Sequence, residues 1–494
     1  MKMGKMMIGL GLILAVVLLG CTETPKPAPT PVPTPIPTTP VEKTPVITTP
    51  VQTTPIPTTP VEKTPGVVTT PPRLTGEIKV CALYDTRIPA FKANVEALKL
   101  AIEEINAQGG IMGKKLELIH QDTQRKVDIA ITAYRSAVIE KGCKVVFVEG
   151  VSEEVMALLE EGAKIYHSNP HIMISSQAGM ESTLKVIEDY EKYKFFFRSL
   201  PSDPEMNYKV TKVFFDIAKD VIGAKKVALL LEDAAWTKCA REGCTYNTKF
   251  GTVGSKAMKD WVKEEYGLEV VYISNLAVGE KNFLPILETA AARGAEFIFV
   301  LSSWYTDTTT LTKQWASSSA RNIPIAFFGG TAQWMTAWNL TGGASLGTIV
   351  MTYDYEAIPL ANPNTAGVIK KLHERGISLD TSTHYAYSEL MRVKEAMERA
   401  GNPEDIDAVI KAMEELEFKN HTIHRAEYMF FGYKNPNFHS YTGGPTMIAQ
   451  FQCNGKPVYI VPSDVLAKGG YVEESQKVQP DAYKSPAELR KICK

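Results

Sequence analysis

Apolar and polar positions follow two different periods along the main part of the chain. Eight short apolar stretches have the length and composition of buried β-strands: IKVCALYD, KLELIHQD, KVVFVEG, HIMISS, KVALLLED, EVVYISN, EFIFVLSS and IAFFGG. The segments between them read as amphipathic helices. In the first of these, one helical face carries Val95, Leu98, Ile102 and Ile105. That helix is predicted to end at Gly109, because glycine accepts the backbone conformation that closes a helix.

This alternation predicts an α/β fold. Apolar strands separated by helices form parallel sheets covered by helices on both faces. The roughly 420 residues that follow residue 74 are too many for one ordinary core. We therefore expect two doubly wound parallel-sheet lobes, with ligands bound at the carboxyl ends of the strands. The loops at those ends are 84–91, 149–153, 175–179, 232–236, 302–307 and 329–334.

The first twenty residues have the features of a secretory signal peptide. Lys2 and Lys5 precede an apolar run at 6–19 that is short for a membrane span, and Gly20 then precedes Cys21. This order resembles the bacterial-type lipobox, in which cleavage precedes a cysteine that is then acylated. An uncleaved signal anchor is the alternative. The lipobox is favoured because no basic stop signal follows the apolar run.

Residues 21–74 are predicted to form a disordered tether. The segment is rich in Pro and Thr, and the unit PIPTTPVEKTP occurs twice, starting at Pro35 and at Pro55. Proline at this density prevents helix and sheet, so the segment is expected to be extended and solvated. Together with acylated Cys21, it would hold the rest of the chain outside a membrane.

Charge and cysteine content fit an exported protein that binds no nucleic acid. The formal net charge is −1, which gives no basis for binding a polyanion. Six cysteines follow Cys21, an even number that suggests disulfides in an exported chain. Cys239 with Cys244 is the strongest candidate pair, and Cys453 with Cys493 would fix the C-terminal tail. The remaining two, Cys81 and Cys143, are predicted either to pair or to be buried thiols.

The motifs of catalysis and metal binding are absent from the sequence. The segment GGIMGKK has the wrong spacing for a phosphate-binding loop, and neither G-x-S-x-G nor H-E-x-x-H occurs. His421 and His424 are three residues apart, and we interpret them as a solvated or loop pair rather than as a metal site. We therefore expect no enzymatic activity, no metal and no cofactor.

Several segments, in this order, resemble the leucine/isoleucine/valine-type solute-binding proteins of ABC importers. They are AIEEINAQGGIMGKKLELIHQD, FRSLPSD, GAKKVALLLED, YAYSELMRVKEAMERAGN and IAQFQCNGKPVYIVP. The resemblance implies a type I periplasmic-binding fold, in which two lobes joined by three crossovers close on a ligand. It places the first lobe at 75–200 and 332–445, and the second at 201–331 and 446–494.

The resemblance also suggests where the ligand should be held, and the chain departs from the family there. Family members that bind amino acids hold the ligand carboxylate with a serine and a threonine, whose places fall at Glu153 and Gly179. The acidic partner of the ligand ammonium group falls near Thr331, and Trp236 stands where a tyrosine covers the ligand. The predicted ligand-binding residues are Phe91, Ser152, Glu153, Gln177, Ala178, Gly179, Trp236, Trp304, Tyr305 and Thr331.

Two kinds of ligand follow from these departures. One is an amino acid or close derivative, held mainly by the backbone amides of Ser152 and Ala178. The other is a less zwitterionic solute that stacks between Phe91, Trp236 and Trp304, with Glu153 and Gln177 as hydrogen-bonding groups. For each aromatic residue, packing within its own lobe is the alternative role.

The resemblance implies a function in transport. The protein is expected to be the lipid-anchored, extracytoplasmic component of an ABC importer, delivering a small organic solute to permease and ATPase subunits. An extracellular sensor domain that signals without delivering cargo is the alternative. A sensor would normally continue into a membrane segment, whereas this sequence ends at SPAELRKICK.

Overall fold

The computed structural model describes residues 74–175, 177–200, 202–334, 336–351, 363–377, 381–416, 435, 439, 448–461 and 480–493. The predicted signal peptide, Cys21 and the Pro/Thr-rich tether lie outside these residues, as do His421 and His424. Within the described part of the chain, no helix has the length and apolar character needed to cross a bilayer.

The first lobe is built on a five-stranded parallel sheet. Its strands are β1 (Glu77–Leu83), β2 (Lys115–Gln121), β3 (Val145–Val148), β4 (Ile172–Ser175) and β5 (Phe196–Arg198). Their spatial order is β2-β1-β3-β4-β5, and every neighbouring pair is parallel. The central strands β3 and β4 are buried along their whole length, as expected for strands covered by helices on both faces.

The helices of the first lobe come from two parts of the chain. The first part supplies α1 (Pro89–Ala107), α2 (Val127–Arg135), α3 (Ser152–Ile165), α4 (Glu181–Glu188) and α5 (Tyr190–Tyr193). The second part follows much later in the sequence and supplies α13 (Pro363–Glu374), α14 (Thr381–Ala400) and α15 (Ile406–Glu415). Helix α1 packs along α14, so the late helices complete the core that the early strands begin.

The second lobe is built on a seven-stranded sheet. Its strands are β6 (Lys226–Glu232), β9 (Glu269–Leu276), β10 (Phe297–Leu301), β11 (Ile325–Phe328), β12 (Ile349–Met351), β13 (Ile448–Phe451) and β14 (Pro457–Val461). Their spatial order is β14-β13-β12-β11-β10-β6-β9. Strands β9, β6, β10, β11 and β12 are parallel to one another. Strands β13 and β14 are added in antiparallel pairing at one edge.

The helices of the second lobe include several short ones. They are α6 (Asp203–Glu205), α7 (Lys212–Asp216), α8 (Lys238–Glu242), α9 (Met258–Tyr266), α10 (Leu284–Ala292), α11 (Thr308–Ser317), α12 (Ala337–Thr341) and α16 (Pro486–Ile492). A hairpin of β7 (Cys244–Thr248) and β8 (Gly251–Ser255) leaves this lobe, and β7 packs against α4 of the first lobe.

The chain returns to the first lobe later than the predicted boundary at residue 332. Strand β12 pairs with β11, and α12 packs against α11, so both belong to the second lobe. Helix α13 packs against α1, so the return falls between Met351 and Pro363. The three residues of β12 are too few to stand out as an apolar stretch, which is why the sequence pattern missed the strand.

The three candidate disulfides are present. Cys239 is bonded to Cys244 at the base of the hairpin, and Cys453 is bonded to Cys493, which fixes α16. The pair left open by the sequence, Cys81 and Cys143, is also bonded and links β1 to the residues just before β3. Each lobe therefore carries a covalent link in addition to its apolar core.

Candidate ligand-binding cleft

A cavity of about 580 Å³ lies where the carboxyl ends of the two sheets face each other. Each of the six loops predicted from the strand order contributes to its lining. Eight of the ten predicted ligand-binding residues line it: Phe91, Ser152, Glu153, Gln177, Ala178, Trp236, Trp304 and Tyr305. The rule that ligands gather at the carboxyl ends of parallel strands therefore located this cavity.

Gly179 and Thr331 are not among the residues that line the cavity. The Gly179 amide donates to the Ser152 hydroxyl over 3.0 Å. The Thr331 hydroxyl is hydrogen-bonded to the hydroxyls of Thr308 and Thr309, at 3.0 and 2.7 Å. Both residues therefore hold neighbouring loops in place.

A buried glutamate ties the loops of the first lobe together. Glu149, one residue after β3, is fully buried and accepts hydrogen bonds from the Asp85 amide and the Thr123 hydroxyl. These two donors belong to the loops after β1 and β2. Burial raises the pKa of Glu149 to about 7, because the charged form loses its hydration.

The start of α3 forms part of the wall on the same side. Glu153 is exposed and lines the cavity, whereas Glu154 is 1% exposed and neither of its carboxyl oxygens has a hydrogen-bond partner in the described residues. Burial, followed by the nearby charge of Glu149, raises the pKa of Glu154 to about 8. A carboxyl group kept protonated in this way avoids the cost of burying a charge.

One of the two backbone amides expected to hold an amino acid is already engaged. The Ala178 amide donates to the Ser175 hydroxyl over 3.3 Å. The Ser152 hydroxyl accepts from the Gly179 amide and keeps its own O–H as a donor. The Ala178 amide is thus engaged within its own loop, which the sequence could not show because it depends on side-chain packing.

An aromatic wall faces these groups from the second lobe. It rests on Glu232, the last residue of β6, which is fully buried. Both carboxylate oxygens of Glu232 accept hydrogen bonds, and the donors are Trp236 Nε1 at 3.0 Å, the Ser303 amide at 2.8 Å, Ser303 Oγ at 2.5 Å and Thr306 Oγ1 at 2.6 Å. Trp236 is thereby fixed at the cavity surface, with its ring centroid 6.2 Å from that of Phe328.

Two contacts join the lobes across the cleft. The Trp304 indole N–H of the second lobe donates to the Gln177 side-chain oxygen of the first over 3.3 Å. The Arg125 guanidinium of the first lobe lies 4.9 Å from the centre of the Tyr305 ring of the second. An aromatic face attracts a cation at this distance, so both contacts favour a closed arrangement of the lobes.

Two cations of the cavity wall were not predicted. Arg241 on α8 forms an ion pair with Asp233 at 2.9 Å. Arg125 lies in the loop after β2, the one carboxyl-end loop of the first four strands that was left out of the sequence prediction. The strand-order rule would have found Arg125 if it had been applied to every strand.

The described residues contain no group of three or more His, Cys, Asp or Glu side chains arranged to hold a metal ion. The cavity is instead lined by aromatic rings, hydroxyls and a few charged groups. Such a lining is suited to holding a small organic molecule by stacking and hydrogen bonds.

A sequence model of the periplasmic binding protein family matches residues 85–455. The chain belongs to this family. Its members are solute-binding proteins, and the match begins in the loop after β1 and includes the cavity-lining residues of both lobes. The family also has an extracytoplasmic location, as expected for a chain with a predicted signal peptide.

This periplasmic binding protein is similar to characterised members of the family in sequence and in structure. It is 24% identical over 341 residues to Leu/Ile/Val-binding protein homolog 3 of Brucella melitensis, which covers 68% of this chain and 82% of the relative. It is similar in structure to the branched-chain amino acid transporter substrate-binding protein LivJ of Streptococcus pneumoniae in complex with isoleucine. The two share 17% identity with a TM-score of 0.58, over 77% of this chain and 97% of LivJ.

A second solved structure shares the fold and holds a different ligand. It is an ABC-transporter solute-binding protein of R. palustris in complex with 4-hydroxybenzoate. It is 16% identical, with a TM-score of 0.57, over 78% of this chain and 95% of the other. The fold is therefore that of type I periplasmic binding proteins, as the sequence predicted.

Proposed function

We propose that the protein is the solute-binding component of an ABC importer and captures a small organic solute, an amino acid or a related compound. The observation that carries this proposal is the cavity whose walls come from both lobes. Trp304 with Gln177, and Arg125 with Tyr305, join those walls. A solute held there would contact both lobes and stabilise their closed arrangement, which is the state a permease can distinguish.

The named relatives support this class of solute. One of them is a Leu/Ile/Val-binding protein homolog, and the two solved relatives hold isoleucine and 4-hydroxybenzoate. Both of these ligands combine a carboxylate with an apolar body. The present cavity offers the apolar part in Trp236, Phe328 and Phe91, two of which are almost fully buried.

A thermal-shift screen tests the proposal. The chain from residue 75 onward would be melted with amino acids, aromatic acids, amines, nucleosides and sugars. A ligand that binds only the folded form raises the melting temperature by mass action. We expect a rise with at least one amino acid or aromatic acid. A folded sample that responds to none of the five classes would contradict the proposed function.

We further propose that the mature protein is attached to the outer face of the membrane through acylated Cys21. The support is the order of basic residues, apolar run, Gly20 and Cys21. Metabolic labelling with an alkyne fatty acid should label the wild-type protein. The Cys21→Ser variant should carry no label, because it lacks the thiol that accepts the acyl group. Equal labelling of both proteins would contradict this anchor.

A further inference from the structure

Arg125 lies on a backbone that its surroundings hold in an uncommon conformation. Gln124 and Arg125 both have a φ of 53°, in the left-handed region that few residues other than glycine adopt. The Gln124 amide donates to Asp122 Oδ1 over 2.8 Å, and the Arg125 amide donates to Thr123 Oγ1 over 3.3 Å. The Thr123 hydroxyl in turn donates to buried Glu149. Such strain persists only where neighbouring groups impose it, and here it directs one arginine to the cavity wall.

The Arg125 guanidinium is only partly satisfied by the described residues. Its Nε is buried and has no hydrogen-bond partner among them, and none of their carboxylates forms an ion pair with it. One face of the group lies against Tyr305. The Tyr305 hydroxyl also interacts with the guanidinium through a hydrogen bond. The remaining N–H groups are left for an acceptor, and a carboxylate matches a guanidinium with two parallel hydrogen bonds.

The other charged groups of the described cavity wall are paired or exposed. Arg241 is paired with Asp233, and it also donates to the Ala234 carbonyl over 3.1 Å. Asp203 is paired with buried Arg198 at 3.0 Å. Glu153 is exposed. Arg125 is therefore the cation of this wall best placed to receive an anion. The buried acids with unpartnered oxygens, Glu149 and Glu154, are not among the residues that line the cavity.

The acidic groups near Arg125 do not cancel its charge. Asp85 forms an ion pair with Arg87 at 2.7 Å. Burial raises the pKa of Glu149 to about 7 and that of Glu154 to about 8, so both carry less than a full negative charge near neutral pH. These two buried groups therefore oppose a ligand carboxylate beside Arg125 less than two fully ionised carboxylates would.

We propose that Arg125 is the residue that selects the solute, by binding its carboxylate against Tyr305. The cargo is then an organic carboxylate with an apolar body that packs on Trp236 and Phe328, and an amino group is not required. This inference rests on the proposed function and deepens it. It assigns to one side chain the task expected of the backbone amides of Ser152 and Ala178, of which the Ala178 amide donates to Ser175.

The experiment is calorimetry on the full mature chain with matched pairs of probes. The acids are 4-hydroxybenzoate and L-isoleucine, and their neutral counterparts are 4-hydroxybenzamide and L-isoleucinamide. At least one acid should bind the wild-type protein about 100-fold more tightly than its amide, since the neutral amide cannot form an ion pair with the half-buried guanidinium of Arg125. Arg125→Met should lose that preference by weakening the acid alone, and Arg125→Lys should recover part of it.

Lys126→Met is the matched control, because Lys126 follows Arg125 directly, is exposed, forms no ion pair within the described residues and does not line the cavity. Its affinity for the acid should stay within about two-fold of wild type. Equal binding of acid and amide by the wild type, or full acid affinity in folded Arg125→Met, would overturn the inference. If the wild type binds amines or sugars and no carboxylate, the inference fails while the solute-binding function stands. If it binds no solute of any class, both fail.

Discussion

The two faces of the cleft use the same device for different ends. In each lobe a fully buried glutamate at the carboxyl end of an interior strand accepts hydrogen bonds from the loops around it: Glu149 in the first lobe and Glu232 in the second. Glu232 accepts four hydrogen bonds, whereas Glu149 accepts two from neighbouring loops and has one oxygen, Oε2, without a partner. The saturated carboxylate supports a fixed aromatic wall. Glu149, with fewer donors, belongs to the first lobe, where the pKa values of Glu149 and Glu154 are raised to about 7 and about 8.

This difference teaches that the cleft divides its work between the lobes. The second lobe supplies shape and apolar contact through Trp236, Trp304 and Tyr305. The first lobe supplies charge through Arg125 and the start of α3. A solute must satisfy both faces at once, which couples its recognition to closure of the lobes.

Replacing each buried glutamate separately should give the largest difference in stability between the two lobes. Glu232→Ala leaves four donors without their acceptor and should cost on the order of 4 kcal/mol of unfolding free energy. Glu149→Ala strands two donors but also removes a poorly solvated acid, so its cost should be about half as large. Urea unfolding of both variants measures the difference. An equal loss in the two variants would show that the number of donors does not distinguish the two faces.

Trp236 should matter for binding more than for folding. It is half-buried in the cavity wall, so Trp236→Ala should weaken solute binding by roughly 30-fold through lost stacking and buried area. Trp315 on α11 is fully buried in the second core and is a matched control. Trp315→Ala should lower the melting temperature sharply and leave the affinity of the folded fraction unchanged. Calorimetry and thermal melts of both variants separate the two roles.

A large fall in melting temperature for Trp236→Ala, with unchanged affinity, would make Trp236 a packing residue. The aromatic face would then owe its recognition to Trp304 and Tyr305.

The raised pKa values of Glu154 and Glu149 in the first lobe should make stability depend on pH. Because the pKa of Glu154 is raised from its ordinary 4.5 to about 8, the folded state holds a proton that the unfolded state has already lost between these values. Stability should therefore fall as pH rises from about 4.5 to 8, and Glu149 acts in the same direction up to about 7. Glu154→Gln should flatten this fall and raise the melting temperature at pH 8.5.

Glu153→Gln removes a charge from the adjacent, exposed position and is the control for this effect. Thermal melts from pH 5 to pH 9 should show little change in slope for that variant. The same slope for wild type and Glu154→Gln would mean that the buried carboxyl does not titrate in this range.

The sequence predicted the fold and the position of the cleft better than it predicted the hydrogen-bond partners of individual groups. Strands such as Val145–Val148 are apolar throughout, so their pattern indicates a covered parallel sheet, and the strand ends then locate the cleft. Short β12 and the antiparallel β13 and β14 gave no comparable signal, because their placement depends on pairing with distant residues.

Hydrogen-bond partners were the part that sequence could not supply. Nothing in the letters ISSQAGM indicates that the Ser175 hydroxyl occupies the Ala178 amide. Nor does QDTQRK indicate that Arg125 ends on the face of Tyr305, since that contact requires both lobes. Residue types located the cavity wall, and three-dimensional packing decided which of its groups remain available.

The most direct test is a crystal structure of the mature protein with the strongest solute from the thermal-shift screen. The solute should lie in the cavity between the lobes, with a carboxylate at Arg125 and its apolar part on Trp236. Density for the solute outside this cavity, or density inside it that contacts only one lobe, would contradict the account of a cleft whose two faces divide the work of recognition.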